Sequence, residues 1–462
     1  MIRKQRQIDD VLEHQIWVTR RLIKAMIKTI FLSSSILFLG ITGAHSASLE
    51  TELAGLLLDH PQNKAVAKIL EAQRREIDIA KADYLPTVTT TSEAAQEIVD
   101  SPGTRNEGDG QGGKDSSRTA YSQNLTVTQN LFNGFQTSSL TRTARLNKEI
   151  AQIEVKNTRQ NTTFEGINGY VNVLRQKRLI ELARENEATI QRQLNLEDER
   201  VQRGSGEAVD VLQAKSRLQI AKERRVTFEG GMIDAITRYV SLFNHAPNID
   251  EMQDPTPPVD LIPSTLDHAI EIGLKENPTL ESAGTTVEVA RERQRSIRGQ
   301  YFPALDLEGQ ANYEKHANTV IGTRLDYSVT MRASWDLFSG LSTPASLAQA
   351  KFQYRASQDE QDRIRRSVIE QTKLSWQALI TAKLRLDLLE NAINIASEVF
   401  ESRKRLREAG KEDVINVLDA ENEVNSAQLG FTSASYDEHM AVYQLLLSIG
   451  RLTPSYLRLT PP

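Results

Sequence analysis

The chain has 462 residues, 39% of them hydrophobic, no cysteine and a formal net charge of −5. So small an apolar share disfavours a thick globular core and suits long helices with narrow apolar seams. The acidic balance argues against a nucleic-acid partner, and the missing cysteine excludes disulfides and any lipid anchor attached through a signal-peptide thiol.

Residues 1–47 read as an export signal. Lys24 and Lys28 precede an apolar run from Ile30 to Ile41, followed by the small residues around Ala44-His45-Ser46-Ala47. Met26 begins a compact signal by itself, so the first 25 residues read either as an extended basic lead or as an upstream start. An uncleaved signal anchor is the competing reading, although the run is short for a bilayer span. Without residues 1–46 the chain retains 49 basic and 58 acidic residues, a charge near −9.

The remainder contains one unit twice, over residues 48–245 and 264–452. The segment from Asp59-His60-Pro61 to Tyr84-Leu85-Pro86 matches Glu276-Asn277-Pro278 to Tyr301-Phe302-Pro303 at a constant offset of 217. From Leu131-Phe132-Asn133-Gly134 to Leu212-Gln213-Ala214 the match runs to Leu337-Phe338-Ser339-Gly340 through Leu418-Asp419-Ala420, at offset 206. The eleven extra residues of the first copy fit its glycine-rich stretch Glu107–Gly113, a loop tip on a rigid frame.

In each copy a helical segment runs into the Tyr-X-Pro stop, where proline turns the chain extended. A strand follows, then a loop, then a second strand. In the first copy Tyr121, Leu125, Val127 and Leu131 share one face, opposite Ser122, Asn124, Thr126, Thr128 and Asn130. In the second, Leu305, Leu307 and Tyr313 alternate with acids and amides, and Leu325, Tyr327, Val329, Met331, Trp335 and Leu337 alternate with polar residues. One apolar and one polar face per strand fits a soluble sheet with one wet side. Strands of this length with aromatic ends also resemble spans of an outer-membrane barrel, in which these residues face lipid. Four strands per chain cannot close around a lumen, so that reading demands a trimer with twelve.

After the strands come helical stretches over about 134–203 and 341–408, each about 105 Å long at 1.5 Å per residue. Leu386, Leu389, Ile393, Ala396 and Phe400 step as a coiled-coil seam. Glycines, Gly204 and Gly206 in one copy and Gly410 in the other, reverse each long helix into a returning one. The returning seams match residue by residue, Val211, Ala214, Leu218 and Ala221 against Val417, Ala420, Val424 and Ala427. Val209, Val211, Leu212, Val414, Val417 and Leu418 sit at the two tips, either as a docking surface or as the start of the seam. A proline-rich connector, 246–263, joins the copies, and 453–462 forms a tail.

No P-loop, dinucleotide fingerprint or nucleophile elbow is present, and the seven histidines show no metal-ligand spacing, so neither an enzyme nor a cofactor or metal site is expected. Lys and Glu pairs on the long helices read as solvated supports.

The duplicated order of helix, Tyr-X-Pro, two strands, Leu-Phe-X-Gly, long helix, glycine tip and Val-Asp-Val-Leu-like return resembles the TolC-type outer membrane channel-tunnel family over residues 49–452. The resemblance implies an α+β membrane protein in which a coiled-coil helical barrel continues into a transmembrane β-barrel. It implies a homotrimer in the outer membrane of a Gram-negative bacterium, with a long periplasmic extension that meets a membrane-fusion adaptor and an inner-membrane ABC or proton-driven transporter. By position, the family's acidic aperture residues fall on Asn416 and Asp419, so one carboxylate is replaced by an amide. Asp210 matches the first-tip aspartate, with Arg407 and Glu412 at its partner positions, the first able to latch it and the second repelling it. The function expected is a passive exit duct for type I protein secretion or efflux. The alternatives are the outer-membrane part of a proton-driven multidrug pump, a periplasmic adaptor with helical hairpins, and an elongated cytosolic scaffold.

Overall fold

The computed structural model describes residues 48–99, 116–317 and 322–457; the export signal and the glycine-rich stretch Glu107–Gly113 lie outside them. The element order is α1 (Leu49–Asp59), α2 (Pro61–Ala82), β1 (Thr87–Val99), β2 (Ser116–Asn133), α3 (Gln136–Gln202), α4 (Ala208–Phe243), α5 (Leu266–Glu276), α6 (Pro278–Gly299), β3 (Ala304–Lys315), β4 (Thr323–Ser334), α7 (Ser342–Glu408) and α8 (Val414–Ser448).

Local chemistry sets the boundaries. Pro61 and Pro278 open α2 and α6 at the first helical position, where a missing N–H costs little. Asn277 caps α6 by accepting from the backbone of Thr279 at 2.9 Å and Leu280 at 3.4 Å. Both long helices begin after two successive left-handed residues, Gly134-Phe135 and Gly340-Leu341, and each runs for 67 residues. They end alike. Gly204 (φ +77°) and Gly410 (φ +71°) take the left-handed cap, with Ser205 N donating to Arg200 O at 3.0 Å and Lys411 N to Leu406 O at 2.9 Å.

The four strands form one antiparallel sheet in the order β1-β2-β3-β4. Register puts Val88, Val127, Gly309 and Val329 in one row and Thr90, Leu125, Ala311 and Tyr327 in the next, so a single face collects the apolar side chains. The opposite face carries Asn130, Asp306 and Arg332 in one row, with Asn130 Nδ2 donating to Asp306 at 2.8 Å and Arg332 paired with Glu308 at 3.3 Å. A bulge in β2 leaves Leu131 as an extra residue, so Phe132 takes the position opposite Leu305 that strict alternation reserves for its neighbour. Trp335 and Leu337 lie just past the end of β4, where the Trp335 indole N–H donates to Tyr301 O at 3.2 Å. Among the described residues neither outer edge, β1 nor β4, has a further strand beside it.

Below the sheet the helices lie side by side. α3 packs against α2 and α6 near the strands and against α4 and α8 toward the tips, while α7 packs against α6 and α8. The main core lies midway along the long helices and includes Leu53, Ile167, Tyr170, Tyr239, Ile272, Leu445 and Ile449. The connector docks there. Tyr170 Oη donates to Gln253 O at 3.0 Å, Lys177 Nζ donates to Ile249 O at 2.9 Å, and Tyr436 Oη donates to Asp254 at 2.8 Å. A smaller core near the tips joins Ile190, Leu194, Val211, Ala214, Leu218, Ala221, Val414 and Leu418.

Candidate functional site

The two tips are held by charge rather than by apolar packing alone. Ile190, Leu194 and Val201 step along the seam of α3, and the position between the last two is Glu197, only 2% exposed. Its carboxylate accepts from Arg200 at 3.0 Å and from Arg407 Nη2 at 2.9 Å. The same Arg407 nitrogen reaches Asp210 at 3.4 Å, and Nη1 donates to Glu412 O at 3.1 Å. One guanidinium therefore ties the end of α7 to both the end of α3 and the start of α4.

The structure brings the expected Asp210–Arg407 pair together. The Glu412 carboxylate accepts from the Asn416 amide, a neutral donor that leaves its negative charge in place. Asn416 O accepts in turn from Arg403 at 3.5 Å. Asp419 is met by Arg217 of α4, a second link between the two hairpins. Arg407 and Asp210 are each 20% exposed at the side chain, whereas the Arg217 and Asp419 side chains are 33% and 49% exposed. The first link is therefore the more strongly desolvated of the two.

Of the apolar tip residues, Val209 and Leu212 stand open at 55% and 65% exposure. Val211, Val414, Val417 and Leu418 are buried within the chain, where the returning helices fill the seam. Gly204, Gly206 and Gly410 form the turns.

Seven residues beyond Val414, Glu421 is also buried on α8, and among the described residues neither carboxylate oxygen has a hydrogen-bond partner. Burial pushes its pKa up to about 7, opposed only partly by the positive charge of Arg192. Reading Glu as a solvated support misses both Glu197 and Glu421, although the seam spacing points to the first.

On the sheet, the residues expected to meet lipid are exposed on the apolar face. Tyr327, Val329 and Met331 of β4 are 75%, 80% and 65% exposed, with Leu325, Tyr121, Leu125, Val127, Leu307 and Tyr313 also open and Leu305 half-buried. A contiguous apolar strand face beside unpaired sheet edges is unstable in water, and lipid together with further strands satisfies it.

The Outer membrane efflux protein family matches residues 54–242 and 269–451. The chain is 23% identical over 432 residues to the outer membrane efflux protein BepC of Brucella suis biovar 1, covering 92% of this chain and 91% of that one. It is 24% identical over 434 residues to the alkaline protease secretion protein AprF of Pseudomonas aeruginosa, covering 91% and 86%. The fold is shared with the crystal structure of the outer membrane protein VceC from Vibrio cholerae, at a TM-score of 0.74 and 14% identity over 87% of this chain and 96% of that one.

Proposed function

The chain belongs to the outer membrane efflux protein family, and on that premise we propose that it works as a homotrimeric exit duct in the outer membrane. The carrying observation is that the sheet and the helical layer are open along the same two sides. β1 and β4 lack outer partners, and the helices joined to them, α2 and α7, are the outermost beneath the sheet. Phe352, Leu374, Leu384, Leu388 and Ile395 of α7 are exposed, as are Leu212, Val226 and Ile233 of α4. Three copies close both layers at once, giving a twelve-stranded barrel above a helical tunnel.

The duct is passive. Cargo reaches it through a periplasmic adaptor that engages the tips at Val209 and Leu212, loaded by an inner-membrane transporter. We favour a secreted polypeptide as cargo, a reading supported by the full-length similarity to a protein named for protease secretion. Small-molecule efflux is the second reading, supported by the similarity to a protein named for efflux. Residues 1–47 serve as the export signal.

Deleting the gene tests the proposal. Loss of a protein from the culture medium supports secretion, hypersensitivity to drugs supports efflux, and no change in either sinks both. Heat-modifiable trimer bands in the outer-membrane fraction test the assembly; a monomer there rejects the closed ring.

A further inference from the structure

Just beneath the sheet, α2, α3 and α6 enclose two adjoining recesses of about 450 and 700 Å³ that share Arg142 and Arg295. Around these two lie Lys81, Arg145, Arg291 and Arg298, together with the carboxylates of Glu149, Glu288 and Glu292, of which Glu288 pairs with Arg291 at 3.5 Å. This basic belt sits on a chain whose net charge is −5. Part of it is a built scaffold. Glu292, 6% exposed, holds Arg142 at 3.4 Å and Arg295 at 3.8 Å. Among the described residues no acidic side chain forms an ion pair with Lys81, Arg145 or Arg298. Those three cations remain available to an anion.

Aromatic residues mark the level just above the recess. Phe132 stands opposite Leu305 on the apolar face of the sheet. Its ring meets Phe135 at 5.3 Å, and Phe135 meets Phe302 at 6.3 Å. Phe135 caps the start of α3 and Phe302 lies just past the end of α6, so Arg142, seven residues after the first ring, and Arg295, seven before the second, sit below the level of the rings on the side away from the strands. Tyr84 lines the recess itself. Aromatic rings above cations form the profile of a membrane boundary. Both copies keep a cation at two of these positions, Lys81 with Arg298 and Arg145 with Lys351, while charges at the tips have diverged.

We propose that this recess binds the phosphate of an anionic phospholipid in the leaflet facing the helices, anchoring the barrel at a fixed depth. The inference rests on the apolar sheet face meeting lipid. Phosphate geometry suits the guanidinium forks, with Glu292 positioning two of them.

The test uses the full-length protein purified in mild detergent, with native mass spectrometry in mixtures of phosphatidylglycerol and zwitterionic phosphatidylethanolamine. The intact protein retains phosphatidylglycerol in preference. The triple variant Lys81→Gln/Arg145→Gln/Arg298→Gln leaves the Glu292 scaffold intact and loses about a hundredfold in affinity for three charges removed. Equal retention by the variant, no headgroup preference, or displacement by millimolar inorganic phosphate overturns the proposal. Quenching by brominated lipid, compared between the parent and Trp335→Phe, tests the membrane placement separately. Quenching of Trp335 without headgroup preference rejects the recess and keeps the placement, whereas no quenching rejects the placement on which the recess depends.

Discussion

The two copies have the same elements in the same order, yet their long helices live in different surroundings. α3 buries residues along nearly its whole length, from Thr137 to Glu197, whereas α7 buries only Ala350, Val368, Thr372, Ser375, Leu379 and Ala382. The amphipathic pattern does not account for the contrast. Position does, because α3 has neighbours on both sides and α7 forms an edge. The copies have also diverged in charge at matched positions: Glu197 faces the counterpart role of Arg403, Asp210 that of Asn416, and Lys215 that of Glu421. A duplicated surface sets like beside like, so complementary divergence is what lets one copy bind the other at the tips.

The sharpest way to break the comparison is at the glycines that start the two long helices. A Cβ on Gly134 would stand 2.1 Å from Gly299 O, and its φ is +66°. Gly134→Ala is expected to cost roughly 2–5 kcal/mol from overpacking and left-handed strain together, read by denaturant unfolding. Its counterpart Gly340 (φ +62°) has nothing within 4 Å, so Gly340→Ala costs the protomer only about 1–2 kcal/mol. By the repeat, the counterpart of Gly299 is Ala82, which in a closed trimer belongs to the next subunit. Gly340→Ala should therefore lower the dissociation temperature of the trimer by more than it lowers protomer stability. Equal effects would argue against ring closure at that point.

Arg407 is the next target. Arg407→Ala leaves Glu197 buried with only Arg200, which is itself 40% exposed at the side chain. The expected cost is about 3 kcal/mol, the lower end for breaking a buried pair, together with faster amide exchange across the tips and higher single-channel conductance. The first-copy counterpart, Val201, packs against the tip core, and Val201→Ala should cost about 1 kcal/mol without changing conductance. If both variants conduct alike, the charged contact is not a latch.

Much of this architecture is legible from residues alone. Period-two alternation places the strand faces, and Leu-Phe-X-Gly and the tip glycines place the long helices to within a few residues. Alternation cannot register a bulge, so the shift at Leu131 is invisible until β3 is laid beside β2. Nor can it tell a core helix from an edge helix, since both show one apolar stripe. At the tips, the family resemblance sets Arg407 at a partner position of Asp210. It misses Glu197 and Arg217, whose partners lie 210 and 202 residues away.

Glu421 sharpens the comparison through pH. In the folded chain its pKa is pushed up to about 7 from an ordinary 4.5. Folding therefore takes up a proton between these values, and stability falls as pH rises through that window, with the loss complete above about 7. The full penalty is roughly 3 kcal/mol. Glu421→Gln should flatten this dependence and raise stability at pH 8 by about 1–2 kcal/mol, less than the full penalty because the amide stays buried. The first-copy counterpart Lys215 is exposed, so Lys215→Glu should add no such slope to unfolding measured from pH 4 to 8. A slope from Lys215→Glu would mean that the two copies bury this position equally.

The smallest effect belongs to Arg217 and Asp419. Both side chains are a third to a half exposed, so Arg217→Ala should cost only about 0.5–1 kcal/mol, and the coupling in a double-mutant cycle with Asp419→Ala should be of that order. Salt separates this link from the one at Arg407. Exposed charges are largely screened once the Debye length falls to roughly 3 Å near 1 M, so the Arg217–Asp419 coupling should vanish there while the buried Glu197–Arg407 coupling persists. Reversing the pair as Arg217→Asp/Asp419→Arg should restore conductance lost to control by either single change. Because the pair joins the two copies rather than two turns of one helix, restoration would show that contact between the copies, and not helix stability within either, holds the entrance. Failure of the reversal at low salt would confine that role to Arg407.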